Sequence, residues 1–318
     1  MSFTGKLLYH AWHRPAGYIR DLASAGGPVG RRLTERGRQE MEDAARHLPP
    51  PPAGVALPVE LHVLTGKRFW FQTAFCLWTF AAHSGRRLEP VIHDDGTLDP
   101  DQRTTLGQLF PGARFIEKAT ALARLDQLLP SSQFPTLRER WTNYPNIRKL
   151  IDPHLGETGW KLAVDSDLLF FRRPDFILRW LDDSGRPLVA EDCTTSYGYG
   201  REMLEKLAGA RLADRVNVGL CGLNSSELDW QRIEFWCRQL IERSGSHYFL
   251  EQAIVAMLVA GRECAVSPSA DYVTGPRPPE SLECRAVMHH YVATSKRWYF
   301  RHNWRQAMQS AESALAAC

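Results

Sequence analysis

The sequence has 318 residues, of which 44% are hydrophobic and 24% are charged, and its net charge is +3. This composition is that of a globular protein with a sizeable core, and so small a charge, spread along the chain, gives no indication of nucleic-acid binding. Seven cysteines without a C-x-x-C pair argue against a disulfide framework or a zinc knuckle. The most apolar stretch, residues 69–82, is shorter than the roughly 20 residues that a membrane-spanning helix needs. We therefore expect a cytoplasmic protein without a secretory signal.

The first 57 residues are predicted to form an N-terminal extension to a domain that covers residues 58–318. Residues 33–48 predict a helix, with Thr34 as its N-cap and with apolar residues on one side, namely Leu33, Met41, Ala44, Ala45 and Leu48. Four prolines at 49–52 cannot continue this helix and predict a stiff linker.

Beyond the linker, strand patterns alternate with helix patterns. Strands are predicted over 59–65, 87–96, 113–119, 160–164, 187–192 and 215–224. Helices are predicted over 68–85, 99–110, 174–183, 227–245 and 248–261, with helical pieces broken by prolines over 124–150. This alternation predicts an α/β fold with a mostly parallel central sheet flanked by helices. In such sheets ligands bind beyond the carboxyl ends of the strands.

Acidic and glycine-containing turns stand at three of these strand ends: Gly66, the HDDG segment at 93–96, and Asp165-Ser166-Asp167. Residues i and i+2 of an extended strand point to one face, so Asp165 and Asp167 are expected to lie side by side. Two carboxylates there repel each other and resist burial, and a hard divalent cation such as Mg²⁺ or Mn²⁺ removes both penalties. The alternative is that both aspartates cap the following turn or pair with Arg172 and Arg173.

The order of these segments resembles the GT-A glycosyltransferases, which have a Rossmann-like sheet, over roughly residues 59–300. In that fold a D-x-D after a hydrophobic strand binds the metal and diphosphate of a nucleotide-sugar donor. The resemblance implies that Asp165 and Asp167 are ligands of Mn²⁺ or Mg²⁺. It also implies donor binding by residues at the first, second and D-x-D strand ends, namely Thr65, Gly66, Asp94, Asp95 and Ser166.

Two later segments extend the resemblance. Residues 216–224 are similar to the strand that follows the D-x-D, which places Asn217 against the donor or acceptor sugar. Residues 250–258 are similar to the acidic-Gln helix start of the family, which places Glu251 on the acceptor side. Local alternatives remain open, because Asn217 could bond a strand-edge amide and Glu251 could favour a helix dipole. Likewise, Asp94 and Asp95 could simply form an Asx turn.

The C-terminal region is similar to the H-x-x-G-x-x-K-P-W ending of glycogenin-like and lipopolysaccharide-galactosyltransferase-like enzymes. The matching positions are His290, Ala293, Lys296 and Trp298, with alanine in place of the glycine and Arg297 in place of the proline. The resemblance implies that His290 is the third metal ligand and that Lys296 contacts the diphosphate.

The function implied is a metal-dependent glycosyltransferase that uses a nucleotide-sugar donor, with a UDP-sugar and retention at the anomeric carbon favoured by the resemblance. An inverting reaction would need a general base, for which Asp192 and Glu251 are the candidates. The acceptor could be a glycan, a lipid or a protein. The basic aromatic segment 296–305 could contact an anionic membrane surface, which leaves peripheral attachment at the inner membrane open.

Three other functions compete with this one. A haloacid-dehalogenase-type phosphatase would use Asp165 as its nucleophile, but the sequence after Asp167 lacks the Gly-Thr of that family. A sugar nucleotidyltransferase would use the same aspartate pair and release pyrophosphate. A binding protein that has lost catalysis is a third alternative, although both carboxylates and the His290–Lys296 spacing are present.

Overall fold

The computed structural model describes residues 26–51 and 58–316. The start of the predicted extension, residues 1–25, and the linker residues 52–57 lie outside the described residues. The division of the chain at residue 57 therefore stays a prediction.

The helices in chain order are α1 (Gly27–Ala45), α2 (Trp70–Ser84), α3 (Pro100–Leu109), α4 (Lys118–Leu128), α5 (Pro135–Asn143), α6 (Arg148–His154), α7 (Asp175–Asp182), α8 (Arg201–Ala208), α9 (Trp230–Ser244), α10 (Leu250–Leu258), α11 (Pro278–Glu283), α12 (Lys296–Trp298) and α13 (Trp304–Ala316). A π-helical turn, Tyr299–Asn303, joins α12 to α13. The strands are β1 (His62–Thr65), β2 (Val91–Asp94), β3 (Arg114–Ile116), β4 (Trp160–Val164), β5 (Leu168–Phe170), β6 (Leu188–Glu191), β7 (Val216–Asn224), β8 (Ala265–Val266), β9 (Tyr272–Thr274) and β10 (Met288–His290).

A seven-stranded sheet with the order β3-β2-β1-β4-β7-β6-β8 forms the centre of the molecule. Its neighbouring strands are parallel except at β7, which is antiparallel to both β4 and β6. The predicted α/β fold with a mostly parallel central sheet flanked by helices is confirmed. Because β1 lies between β2 and β4, the carboxyl ends of these three strands are adjacent.

A small second sheet, with the order β5-β10-β9, brings the C-terminal region to the strand ends of the central sheet. Strand β5 begins three residues after Asp165 and pairs antiparallel with β10, so that Leu168 lies opposite His290. This pairing joins two segments that are more than 100 residues apart in the sequence, and the helix and strand patterns had not predicted it.

Helix α2 is buried on nearly every side. A helix that is apolar all round must be covered by other elements, and here α1, α13 and β5 provide the cover. Met41 and Ala45 of α1 belong to the same core as α2. A Cβ atom on Gly37 would collide with the carbonyl oxygen of Phe300, so this glycine allows α1 to pack closely on the π-helical turn.

The predicted N-terminal helix is present over 33–45, but its predicted start and N-cap were wrong. Helix α1 begins at Gly27, so Thr34 is an interior residue, whose hydroxyl donates a hydrogen bond to the carbonyl of Gly30 instead of capping the helix. The buried stripe consists of Gly30, Gly37, Met41 and Ala45, and the side chain of Leu33 is 51% exposed. Gly30, Gly37, Met41 and Ala45 thus pack against the rest of the molecule, whereas Leu33 does not.

In the part of the chain that the structure describes, no helix combines the length and the apolar character needed to cross a membrane.

Candidate functional site

The aspartate pair lies on a turn at the end of β4. The backbone N–H of Asp165 donates to the carbonyl of Gly219 at 2.8 Å, and the carbonyl of Asp167 accepts from the N–H of Tyr291 at 3.0 Å. The prediction that both aspartates continue an extended strand was wrong, because the chain turns at Ser166 before β5 begins. The turn is thus held between the two sheets.

His290, the last residue of β10, meets both carboxylates. Its Nε2 atom lies 3.5 Å from Oδ2 of Asp165 and 3.3 Å from Oδ1 of Asp167. The ligand atoms of these three residues all lie within 4.8 Å of one another. Together they form a group of two carboxylates and one imidazole that could hold a metal ion.

Two lysines occupy the outer side of this group. Lys149 Nζ lies 2.7 Å from Oδ1 of Asp165, and Lys296 Nζ lies 2.9 Å from Oδ2 of Asp167. Each aspartate therefore uses one oxygen for a lysine and turns the other toward His290. Among the described residues, the buried inward oxygen of Asp167 has a donor only when Nε2 of His290, 3.3 Å away, carries a proton. An unpartnered carboxylate oxygen is costly unless a cation or a donor completes it.

The orientation of His290 is set by Asn217 of β7. Its Nδ1 atom lies 3.0 Å from Oδ1 of Asn217, which also accepts the N–H of Gly219 at 2.9 Å. Since an amide oxygen only accepts, Nδ1 of His290 must carry the proton. When the ring is neutral, Nε2 therefore carries the lone pair that a metal ion would use.

Gly219 makes room for this arrangement. A Cβ atom at this position would overlap the imidazole ring of His290. The sequence reading noted the segment 216–224 for its asparagine but did not recognise that Gly219 had to be small.

The electrostatics of the group favour ionised side chains. Burial alone would lower the pKa of His290, yet the carboxylates of Asp165 and Asp167 raise it to about 9. Burial would raise the pKa of both carboxyl groups, but Lys149 and His290 hold that of Asp165 below its usual value. Lys296 and His290 have the same effect on Asp167. The negative charge of the pair is thus compensated by side chains in this structure.

A network of hydrogen bonds around Asp192 fixes the side chain of Asn217, which in turn orients His290. Oδ2 of Asp192 accepts hydrogen bonds from Nδ2 of Asn217 and Nε2 of Gln252, both at 3.1 Å. Nε2 of Gln252 also donates to the carbonyl of Ser196 at 2.9 Å. Asp192 therefore holds the amide of Asn217 in the orientation that directs its oxygen to His290.

Glu251, at the start of α10, is linked to the aspartates through a buried lysine. Lys149 Nζ lies 3.3 Å from Oε2 of Glu251 as well as 2.7 Å from Oδ1 of Asp165. Burial raises the pKa of Glu251 to about 7, although Lys149 opposes this rise. Burial would lower the pKa of Lys149, but the two carboxylates raise it, so the lysine stays charged.

A cavity of about 520 Å³ opens beside these groups. Seven of the residues predicted for the site line it: Asp165, Asp167, Asp192, Asn217, Glu251, His290 and Lys296. The structure thus brings together residues from five separate segments of the chain around one space large enough for a small molecule.

Comparison with solved structures identifies the architecture. Mouse xyloside xylosyltransferase 1 matches with a TM-score of 0.51 and 11% identity, over 76% of this chain and 99% of that protein. The galactosyltransferase LgtC, solved with donor and acceptor sugar analogues, matches with a TM-score of 0.51 and 14% identity, over 80% of this chain and 96% of that protein. The protein has a GT-A fold. The sequence matches no protein-family model, and the search of curated proteins finds no match.

The predicted resemblance to the GT-A glycosyltransferases is therefore confirmed for the fold. In this GT-A fold, the residues predicted for the first two strand ends lie apart from the cavity. Thr65 Oγ1 accepts a hydrogen bond from the hydroxyl of Thr73 at 2.8 Å, and Oδ1 of Asp94 accepts the N–H of Gly96 at 2.7 Å. The side chain of Asp95 lies over Gly66, where a Cβ atom would collide with it.

Neither these four residues nor Ser166 line the cavity, although β1, β2 and β4 end at the same edge of the sheet. The Asx turn that was left open for Asp94 is present. Donor binding by Thr65, Gly66, Asp94, Asp95 and Ser166 stays a prediction.

Ala293 stands where the C-terminal motif of the family that the sequence resembles has glycine. Its φ is +46°, in the left-handed region where glycine, the residue of the motif, is favoured. The backbone keeps this conformation with alanine, and Lys296 still reaches Asp167.

Besides Gly219, sequence reasoning missed Lys149 and Gln252. Lys149 belongs to the proline-interrupted segment 124–150, where no motif marked it. Gln252 stands in the acidic-Gln helix start that was noticed, but only Glu251 was considered there. Lysine and glutamine are common on protein surfaces, so only burial beside carboxylates indicates that Lys149 and Gln252 belong to the site.

Proposed function

We propose that the protein is a metal-dependent glycosyltransferase that transfers a sugar from a nucleotide-diphosphate donor, a UDP-sugar, with retention at the anomeric carbon. The observation that carries this proposal is the meeting of Asp165, Asp167 and His290 at one cavity of a GT-A fold. The UDP-sugar donor rests on the resemblance to the GT-A glycosyltransferases alone, and retention rests on the spacing of His290, Lys296 and Trp298. The acceptor class is left open among glycans, lipids and proteins.

The residues present fit a divalent cation. Asp165 and Asp167 would supply carboxylate oxygens and His290 a nitrogen, a mixed set that suits Mn²⁺ and also admits Mg²⁺. When Nε2 of His290 gives up its proton, the buried inward oxygen of Asp167 has no donor among the described residues, and the cation would take that place. When bound, the cation would supply Lewis-acid stabilisation of the charge that develops on the leaving diphosphate.

Lys296 would stabilise the nucleoside diphosphate that leaves the sugar. Its ammonium group lines the cavity and is held by Asp167, whose charge raises its pKa. A fixed cation at this place stabilises the nucleoside diphosphate as the sugar–phosphate bond breaks. Asn217 and Asp192 act through His290, because they hold its ring in the ligand orientation.

Glu251 is the group best suited to move a proton. It is buried beside the cavity, and its pKa of about 7 allows it to accept or release a proton near neutral pH. If the reaction inverts the anomeric centre, Glu251 is a better general base than Asp192, since the Oδ2 atom of Asp192 already accepts two amide hydrogens.

The test begins with a panel of nucleotide sugars, screened by thermal shift with and without Mn²⁺. A bound donor raises the melting temperature by mass action. With the donor found in this way, release of nucleoside diphosphate is measured for the wild type and for Asp167→Asn. We expect the substitution to lower the Mn²⁺-dependent rate about a hundredfold or more, since changes even in residues that only support metal ligands cost 10- to 100-fold.

The control variant is Asp175→Asn, which makes the same chemical change in a side chain that is 60% exposed at the start of α7. It should keep the wild-type rate, and both variants should melt cooperatively. Full activity of Asp167→Asn would contradict the proposal. Pyrophosphate as the product would favour a nucleotidyltransferase, and a phosphorylated Asp165 would favour a phosphatase.

A further inference from the structure

A second cavity, of about 290 Å³, lies between α1 and the π-helical turn, away from the metal group. It is lined by Leu33, Arg36, Gly37, Glu40, Arg301, His302 and Arg305, and is called the basic groove below. Arg301 donates to Thr34 Oγ1 at 2.8 Å, and Arg305 and Arg36 both contact Glu40. The groove is therefore a built surface between two packed elements.

Positive charge exceeds negative charge in the groove. Three arginines line it with a single carboxylate, Glu40, and Arg32 lies on α1 one turn before Arg36. The segment 296–305 contains no acidic residue at all. Burial lowers the pKa of His302, and so do Arg301 and Arg305, which is the sign of a positive local potential. An anionic partner would relieve this repulsion.

Apolar side chains project beside these cations. Val29 and Leu33 are 69% and 51% exposed, and their i, i+4 spacing places them next to each other on α1. The half-buried ring of Trp298 stacks on His302 at a centroid distance of 6.2 Å. Exposed apolar residues flanked by arginines on one helix are typical of surfaces that lie in the headgroup region of a bilayer.

The structure changes the sequence-based expectation for segment 296–305. Three of its aromatic residues, Tyr299, Phe300 and Trp304, are buried in the core and are not able to contact a membrane. Only the arginines and His302 reach the groove, and the exposed aliphatic side chains come from α1. The surface is thus formed by two segments about 270 residues apart.

We propose that the basic groove, together with Val29, Arg32 and Leu33, docks on a bilayer that contains anionic lipids. The arginines attract the phosphate-bearing headgroups, and Val29 and Leu33 enter the interface. These two aliphatic residues favour a bilayer over RNA, because RNA offers the arginines phosphates but offers aliphatic side chains no apolar phase. Helix α12 and the π-helical turn connect Lys296, which lines the larger cavity, to Arg301, which lines the groove.

The experiment is co-sedimentation of the full chain with vesicles of phosphatidylcholine alone and of phosphatidylcholine with 40% phosphatidylglycerol. We expect binding only to the anionic vesicles, and weaker binding as the salt concentration rises. The variant Arg32→Gln/Arg36→Gln should bind at least about tenfold more weakly. A second variant, Val29→Ser/Leu33→Ser, keeps every charge and should lose the binding that remains at high salt.

The matched control is Arg238→Gln/Arg243→Gln, which removes two exposed arginines from α9, on another part of the surface. It should bind like the wild type, and melting curves should show that all variants are folded. Equal binding to both kinds of vesicle, or equal losses in the control and in Arg32→Gln/Arg36→Gln, would overturn the proposal. Tight binding to a single-stranded RNA without vesicle binding would overturn it as well. None of these measurements uses a sugar donor, so the result is independent of the proposed enzymatic function.

Discussion

At the scale of single residues, the state of His290 controls the proposed metal site. In this structure its Nε2 atom faces two carboxylates, and their charge holds a proton on the ring. A metal ion requires the same nitrogen as a lone-pair donor. Proton and metal therefore compete for one atom, while Asn217 keeps the other ring nitrogen protonated in both cases.

This competition predicts how Mn²⁺ affinity depends on pH. The pKa of His290 is about 9, so at every lower pH the metal must displace a proton, and affinity should rise about tenfold per pH unit. Free Mn²⁺ measured by electron paramagnetic resonance between pH 6.5 and 8 checks this. His290→Gln should bind weakly with little pH dependence, and a flat profile in the wild type would contradict the competition.

At the scale of elements, strand β7 positions His290 with the face that carries Asn217 and Gly219. Its pairing with β6 is irregular, because Val189 pairs with Cys221 and the next residue, Ala190, pairs with Asn217. Irregular pairing of this kind is common beside active sites, where it redirects a side chain. Asn217 and Gly219 face His290, while Gly222 faces Trp180 on the other side of the sheet.

The two glycines of β7 predict different effects of one substitution. Gly219→Ala should displace the ring of His290 and lower Mn²⁺ affinity tenfold or more, because the added Cβ occupies the space of the imidazole. Gly222→Ala places its Cβ 2.5 Å from the ring of Trp180, so it should cost about 1–3 kcal/mol of stability and leave Mn²⁺ affinity unchanged.

Metal titration and urea denaturation of both variants separate these outcomes. If the two substitutions lowered Mn²⁺ affinity equally, the effect of Gly219→Ala would be a general loss of packing. The close approach of Gly219 and His290 would then have no special part in metal binding.

At the scale of the whole molecule, the central sheet separates two hydrophobic cores. One contains α2 with α1 and α13, and the other contains the helices α5, α9 and α10. Polar residues are buried at the edges of these cores, among them His154, whose Nδ1 lies 2.9 Å from the hydroxyl of Ser225. Such groups connect global stability to pH.

His154 predicts a loss of stability in mild acid. Burial lowers its pKa from 6.5 to about 3, so the unfolded chain takes up a proton that the folded chain does not. This contribution is complete above pH 6.5 and declines as the pH falls toward 3. At pH 5 the loss should reach about 2 kcal/mol, measured as the free energy of unfolding in urea.

The variant His154→Gln should flatten this decline, whatever its own stability at pH 7. The exposed residue His47 provides the control, since His47→Gln should leave the pH dependence as it is in the wild type. His83, whose pKa burial lowers to about 4, acts in the same direction and leaves part of the decline in place. An unchanged slope in His154→Gln would contradict the assignment.

The sequence alone determined the alternation of strands and helices and the position of the aspartate pair at a strand end. Both are local properties, because the period of apolar residues and the place where it breaks can be read within about 15 residues. The family resemblance added His290, Asn217 and Glu251, which all line the cavity. Local patterns also placed Leu33 on a buried side, because they could not show which part of α1 other elements cover.

Only the tertiary structure decided which distant groups meet. The pairing of β5 with β10 carries His290 to the aspartates, the packing of α6 inserts Lys149 between Asp165 and Glu251, and the contact of α1 with the π-helical turn creates the basic groove. These contacts depend on long-range pairing and close packing, which a local period of side chains does not encode. The roles of Lys149 and Gly219 therefore depend on neighbours that are far away in the sequence.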